Sequence, residues 1–346
     1  MTRPSALNLV RVGGATAVPD ILRNLGADAD RVIGAAGVSP SILADPENVI
    51  PFSMLAKLIQ QCVDATRSPH LGLLIGERTS IQSFGYLGLL IENSRDVHAA
   101  LDQLVSRFHL HDARGVPILD ISHGEACLGY AAFENDEPSA FEIIDMAVAG
   151  FFNIMRRLCG RSWKPIEIRL PRPRPVDVRP FNNFFNAPIR FGVEHGVVAF
   201  ATDWLSKPLE DANPLIRDLA ERRVREIEAE NFESVEGQLR RLLRTLVLTR
   251  RCSLQTIAQY FHLPPRTLAR RLEGEDVRLR ELVDEARYEV ARHLLADTSL
   301  AMSQVAAALG YSEASAFSRA FRRWSGKSPA GWREESALRR SLTPSV

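Results

Sequence analysis

The sequence predicts two domains of different class, an α+β domain followed by an all-α domain with two helix–turn–helix units in tandem. Three observations carry this. A chain of 346 residues is long enough for two separate cores. Between residues 97 and 201, helix-like and strand-like stretches fall in separate blocks, the pattern of an α+β domain. Beyond residue 250, one arrangement of apolar anchors and arginines at helical spacing occurs twice.

The N-terminal half opens with short helices at 19–25, 30–36 and 51–65. Phe84-Gly85-Tyr86-Leu87-Gly88 reads as a glycine-punctuated turn; it lacks the strand, the spacing and the lysine of a phosphate cradle. Asn93 and Ser94 suit the cap of a helix over 97–108, with Ala100, Leu101, Leu104 and Val105 on its apolar side. Two strands follow, GVPILDIS from Gly115 and ACLGYAAFE from Ala126, joined through His123, Gly124 and Glu125. Residues 140–158 form a long, mostly apolar helix, predicted to be buried. A strand at 166–170 leads into PRPRP from Pro171, a stiff connector. The stretch from Phe181 to Phe200 alternates turn residues with short apolar runs and ends in a strand over 197–201.

Asn213-Pro214 is a helix start, asparagine as cap and proline in the first turn. The helix over 215–230 is rich in charge (ERRVREIEAE) and reads as a solvated linker. Ser234 opens the next domain, and Val235, Leu239, Leu242, Leu243 and Leu246 make the apolar face of its first helix. The expected organisation is therefore a domain over 1–210, a linker helix over 211–233, a helical domain over 234–338 with units at 253–272 and 303–324, and a flexible polar tail over 339–346.

In the second unit Ser303 is placed to cap a helix carrying Val305, Ala306 and Leu309, Gly310 supplies the left-handed residue that ends it, and Ser312 can cap the next. On that next helix Phe317, Phe321 and Trp324 share one face, while Ser315, Arg319 and Arg322 lie roughly opposite. In the first unit Ile257, Ala258 and Phe261 match Val305, Ala306 and Leu309 at an offset of 48, and Leu268 and Leu272 match Phe317 and Phe321 at 49. At the second offset Arg266 corresponds to Ser315 and Arg270 to Arg319. One turn is a residue longer. His262 stands where Gly310 stands, and Pro264 replaces the capping serine, ahead of Pro265 in the first helical turn. Between the units a helix over 279–296, about 18 residues at 1.5 Å each, spans about 27 Å. That length suits two reading helices in successive major grooves, which repeat every ~34 Å on one side of the duplex.

The residues from about 234 to 333 resemble the tandem helix–turn–helix domain of the AraC/XylS transcription regulators. LGYSEASAFSRAFRRWSGKSP, from Leu309 to Pro329, is similar to that family's signature almost residue for residue, and PRTLARRL from Pro265 to its usual first reading helix. SILADPENVIPF, the glycines near Tyr86, FFNAPIRFG and WLSKPLEDANP resemble the regulatory domain that often precedes this pair, the one named arabinose-binding. The resemblance implies binding to double-stranded promoter DNA, contact with RNA polymerase, a small-molecule effector and self-association as a homodimer through the N-terminal domain.

An arginine fork can take guanine O6 and N7 in the major groove. Arg266, Arg270 and Arg319 are placed for base reading, with Ser315 a weaker reader. Thr267, Arg271, Arg322, Arg323 and Lys327 are the candidates for phosphate contacts, which give affinity that falls with salt. The net charge of +1 requires that any basic surface be local.

Four scattered cysteines without a CxxC pair point to a reducing compartment and away from a disulfide framework or a zinc site. The N-terminus lacks the apolar run of a signal peptide, and apolar runs such as LGLLIG fall far short of a membrane span of ~20 residues; the expectation is a cytoplasmic protein without a membrane. His109 and His111, with His123 nearby in sequence, are the most enzyme-like feature. They are read as structural or effector-contacting rather than as metal ligands, and no cofactor or catalytic residue is expected. The function expected is a DNA-binding activator with an effector-sensing N-terminal domain. One alternative is a regulator controlled by abundance or a protein partner. The remote alternative is an enzyme–regulator fusion with a metal or cysteine site, for which Cys252, just before the first unit, is the candidate thiol.

Overall fold

The structure is a computed structural model that describes residues 9–112, 115–132, 139–193, 195–230, 239–240, 243, 246–247, 252–260, 264–274, 277–297 and 300–342. These belong to two compact units, one over Met1–Ala132 and Glu137–Asn231, the other chiefly over Phe232–Val346.

The first unit is α+β. Strand β1 (Leu9–Arg11) pairs antiparallel with β2 (Val49–Pro51), Val10 opposite Ile50, a small sheet that local patterning did not signal. The three expected short helices are α1 (Val18–Asn24), α2 (Ala29–Ala35) and α3 (Phe52–Thr66). They are followed by α4 (Leu71–Arg78), α5 (Tyr86–Glu92) and α6 (Val97–Arg107). Of the glycine-punctuated stretch only the first half is a turn: Gly85, at φ +57°, redirects the chain and α5 begins at Tyr86. The cap of α6 is neither Asn93 nor Ser94 but Asp96, whose carboxylate accepts from the Ala99 N–H at 2.7 Å. Asn93 instead accepts from the backbone N–H of Asn213 at 2.9 Å.

Strands β3 (Gly115–Ser122), β4 (Glu125–Ala132), β5 (Glu167–Leu170), β6 (Ile189–Phe191) and β7 (Gly196–Ala201) form one sheet in the order β3-β4-β7-β5-β6. All pairs are antiparallel except β5 with β6. The β3–β4 hairpin closes on His123 and Gly124 at φ +49° and +83°, the two positive values whose twist matches that of the flanking strands. Helix α7 (Ala140–Cys159) is buried between this sheet and α4. A methyl group on Gly72 of α4 would overlap the carbonyl of Glu142, and one on Gly196 would meet Ile144 and Val148, so these glycines set how closely α7 packs. Phe108, Tyr130 and Phe151 pack edge to face in the core, and the Tyr130 hydroxyl donates to Asp112 at 2.8 Å.

Two stretches differ from the sequence expectation. FNNFF belongs to α8 (Arg179–Phe185), which buries Phe181 and Phe185, four residues apart on one face. The supposed solvated linker, α9 (Pro214–Glu230), is docked in the first unit. Its start is as expected, Asn213 accepting from the Leu215 N–H at 2.9 Å. Further along, Ala220 and Val224 are buried with Leu90, and the half-buried Glu221 carboxylate receives both guanidinium nitrogens of Arg107, at 3.0 and 2.7 Å.

The second unit is all helical among its described residues. Leu239, Leu243, Leu246 and Val247 are buried in its core; Ser234, Val235, Leu242 and Phe261 lie outside the described residues. Helices α10 (Leu254–Tyr260), α11 (Pro265–Gly274), α12 (Leu279–Asp297), α13 (Met302–Ala308), α14 (Ala314–Ser325) and α15 (Pro329–Leu342) follow. The last runs through 339–342, a stretch read from sequence as frayed tail. Ile257, Ala258, Leu268 and Leu272 share one core with Val305, Ala306, Leu309, Phe317 and Phe321. Among the described residues no helix is long and apolar enough to cross a membrane.

Candidate nucleic-acid interface

Each unit buries one side of its second helix and leaves the other to solvent. In the first, Ser253 caps α10, its hydroxyl accepting from the Thr256 N–H at 3.1 Å. Helix α11 starts at Pro265, where a missing N–H costs nothing, and the Pro264 carbonyl accepts from the N–H groups of Thr267 (2.9 Å) and Leu268 (3.1 Å). Leu268 and Leu272 fix the buried side, while Arg266 and Arg270, one turn apart, are exposed. Thr267 is half-buried beside them. His262 and the Arg271 side chain lie outside the described residues.

In the second unit Gly310 is left-handed, at φ +81°, as its position demands. The Tyr311 N–H bonds the Ala306 carbonyl at 2.9 Å and the Gly310 N–H bonds that of Ala307 at 3.1 Å, closing the end of α13. The two expected serine caps are corrected. Ser303 lies inside α13, and the Gln304 side chain instead accepts from the Ala301 N–H at 2.8 Å. Ser312 precedes Glu313, the residue that borders α14. Helix α14 is seated by Phe317 and Phe321, the latter within 6 Å, ring to ring, of Tyr288 on α12 (5.6 Å) and Trp332 on α15 (5.9 Å).

On the outer side of α14, Ser315, Arg319 and Arg322 are exposed. The Ser315 hydroxyl donates to Glu313 at 3.0 Å. Among the described residues, the side chains of Arg266, Arg270, Arg319 and Arg322 form no ion pair or hydrogen bond. Arg323 and Lys327 differ: Arg323 pairs with Asp284 of α12 at 2.9 Å, and Lys327 with Glu335 at 2.6 Å. Asp284 escaped the sequence reading because α12 was treated as a spacer; its charge spacing to Arg287 at i, i+3 was the available signal.

The histidines do not converge. The His111 ring lies on Phe84, centroids 4.3 Å apart, and burial together with nearby Arg11 pushes its pKa down to about 3. His109 is in the preceding turn, and His123 is exposed at the hairpin tip beyond the full length of β3. Among the described residues no cluster of three His, Cys, Asp or Glu is arranged to hold a metal ion. Burial raises the Cys252 thiol pKa, the reverse of what a reactive cysteine requires.

Residues 26–209 match the family described as the arabinose-binding domain of AraC transcription regulator, N-terminal, and residues 257–335 match a helix-turn-helix domain family. The ornithine utilization regulator of Pseudomonas aeruginosa is 26% identical over 331 residues, covering 94% of this chain and 96% of the relative. The HTH-type transcriptional regulator VirS of Mycobacterium tuberculosis is 22% identical over 339 residues, 94% of this chain and 96% of its own. VqsM of P. aeruginosa, also an HTH-type transcriptional regulator, is 28% identical over 272 residues, 76% and 83% of the two chains. Among solved structures, the transcriptional regulator CdpR from P. aeruginosa aligns with 91% of this chain and 98% of its own at 23% identity and a TM-score of 0.45. The chain belongs to the AraC/XylS family of DNA-binding transcription regulators, with a ligand-binding-like N-terminal domain ahead of its helix–turn–helix domain.

Proposed function

We propose that the chain is a sequence-specific transcription activator that reads promoter DNA with α11 and α14 and is controlled by a small molecule bound to its N-terminal α+β domain. One observation carries the reading: on both helices the arginines at matched positions, Arg270 and Arg319, stand exposed opposite anchors that are fully buried. Arg266, Arg270, Arg319 and Ser315 are the base readers, and Thr267, Arg271 and Arg322 contact phosphate. Arg323 and Lys327 would have to leave a carboxylate to do so. The N-terminal α+β domain binds the effector and self-associates. Leu215 and Leu219, 73% and 61% exposed on the outer face of α9, suit the second role. RNA polymerase is the partner at the promoter.

The experiment is selection of duplexes from a random-sequence pool by the full chain. The expected product is a site with two short conserved words about 10–10.5 base pairs apart, one for each reading helix. Recovery of no preferred sequence would refute the proposal. A metabolite that binds at 100 times its Kd should stabilise the full chain by about 2.7 kcal/mol, seen as a rise in Tm.

A further inference from the structure

Beside α14 lies a groove of about 640 Å³ whose lining includes Arg280, Arg287, Arg319, Arg323, Tyr311 and Asp284. Its charged lining is four guanidinium groups and one carboxylate. Asp284 accepts a hydrogen bond from Arg323 at 2.9 Å and stands 4.0 Å from Arg287, whose guanidinium in turn packs over the Tyr311 ring at 5.4 Å. Asp284 is a quarter exposed, and Arg323 mostly exposed.

Four arginines at the edge of a reading helix would attract the phosphates of any duplex. Such attraction is sequence-independent, and what a regulator needs is the ratio of operator to non-specific affinity. A carboxylate in the middle of the cluster acts in two ways, the first on affinity at large and the second on that ratio. It occupies Arg323 and repels an approaching phosphate, which lowers affinity for all DNA alike. The same bond ties α14 to α12 one turn from Arg319, which restricts where the base-reading guanidinium can point.

We propose that Asp284 is a specificity-determining residue: it holds Arg323 off the DNA backbone and fixes α14 so that Arg319 meets one base. This rests on α14 being a reading helix.

The test measures binding of the full chain to its selected site and to a scrambled duplex across a range of salt. Asp284→Asn should steepen the salt dependence for scrambled DNA by about 0.9 in log–log slope and tighten that binding about eightfold at 0.1 M salt, the effect of one added phosphate contact. The ratio of selected to scrambled affinity should fall. Arg323→Gln alone should leave the slope unchanged, and in that background Asp284→Asn should no longer steepen it. The proposal is overturned if Asp284→Asn weakens selected and scrambled binding together at constant slope, the mark of a merely structural role. It is overturned equally if Arg323→Gln flattens the slope by about 0.9, because Arg323 would then already be on a phosphate. Should Asp284→Asn fail to fold, the Arg323→Gln slope still decides. A wild-type chain that prefers no sequence would refute the reading of α14 itself; one that discriminates while Asp284→Asn changes nothing would refute only the role of Asp284.

Discussion

Leu268 of α11 and Phe317 of α14 hold the same station in their two units, each fully buried in one shared core and each followed four residues later by a second buried anchor. Truncation should therefore be costly at both. Phe317→Ala is expected to lose about 3–5 kcal/mol and Leu268→Ala about 2–5 kcal/mol, because each leaves a cavity as well as losing burial. Arg319→Ala, on the exposed side, should stay within about 0.5 kcal/mol of wild type. Denaturant unfolding of the three variants checks the contrast between the faces.

Gly310 ends α13 in the left-handed region. Gly310→Ala places a Cβ in that left-handed conformation, at a cost of about 1–2 kcal/mol. The expected outcome is a lowered unfolding midpoint with folded structure retained, measured by circular dichroism.

His111 is stacked on Phe84 with its Nδ1 enclosed and unbonded, although part of the residue remains exposed. Its folded pKa, about 3, lies below the ordinary 6.5, so the unfolded chain binds the extra proton. Stability from this group is present above pH 6.5 and is lost as pH falls toward 3. Relative to His111→Leu, wild type should lose up to about 1.4 kcal/mol per pH unit in that window. Unfolding titrations of both proteins from pH 7.5 to 4.5 read the difference.

Asp145 carries the opposite sign. It is fully buried and pairs with Arg172, which is also 3.3 Å from Glu142; burial pushes its pKa up to about 7 despite the guanidinium. The folded state then holds more protons than the unfolded state between about pH 4 and 7. Its contribution is greatest at the acid end and declines as pH rises through that window. Asp145→Asn cannot ionise, so the stability of wild type minus that of the variant should fall from pH 5 to pH 7.5. A flat or rising difference would show that Asp145 is ionised throughout.

What was legible in the sequence was whatever repeats locally. Phe317 and Phe321 four apart, arginines opposite them, Gly310 at a helix end and the matched pattern around Leu268 specify α14 and α11 without reference to distant residues. The β3–β4 hairpin was legible for the same reason, although strand β4 starts at Glu125 rather than Ala126. Of the caps, Asn213 was legible, whereas Ser303 and Ser94 are as suitable in type as Gln304 and Asp96, which make the bonds, and the outcome depends on a turn geometry that composition leaves open. Non-local partners were invisible. Nothing near Val49 announces β1, and Ala220 gives a weak apolar signal, so α9 looked solvated when Leu90 and Arg107 hold it. Arg172 gave no sign that it would be buried against Glu142 and Asp145, residues about 30 positions earlier.

Whether two matched helices each read bases through an exposed arginine is decided by binding of wild type, Arg270→Ala and Arg319→Ala to the selected site and to every single-base variant of it. Each substitution should erase about 1–3 kcal/mol of discrimination at its own base position, the two positions lying about one helical turn apart, with preferences elsewhere unchanged. If both variants keep the full base preference, or weaken binding uniformly at every position, neither arginine reads sequence.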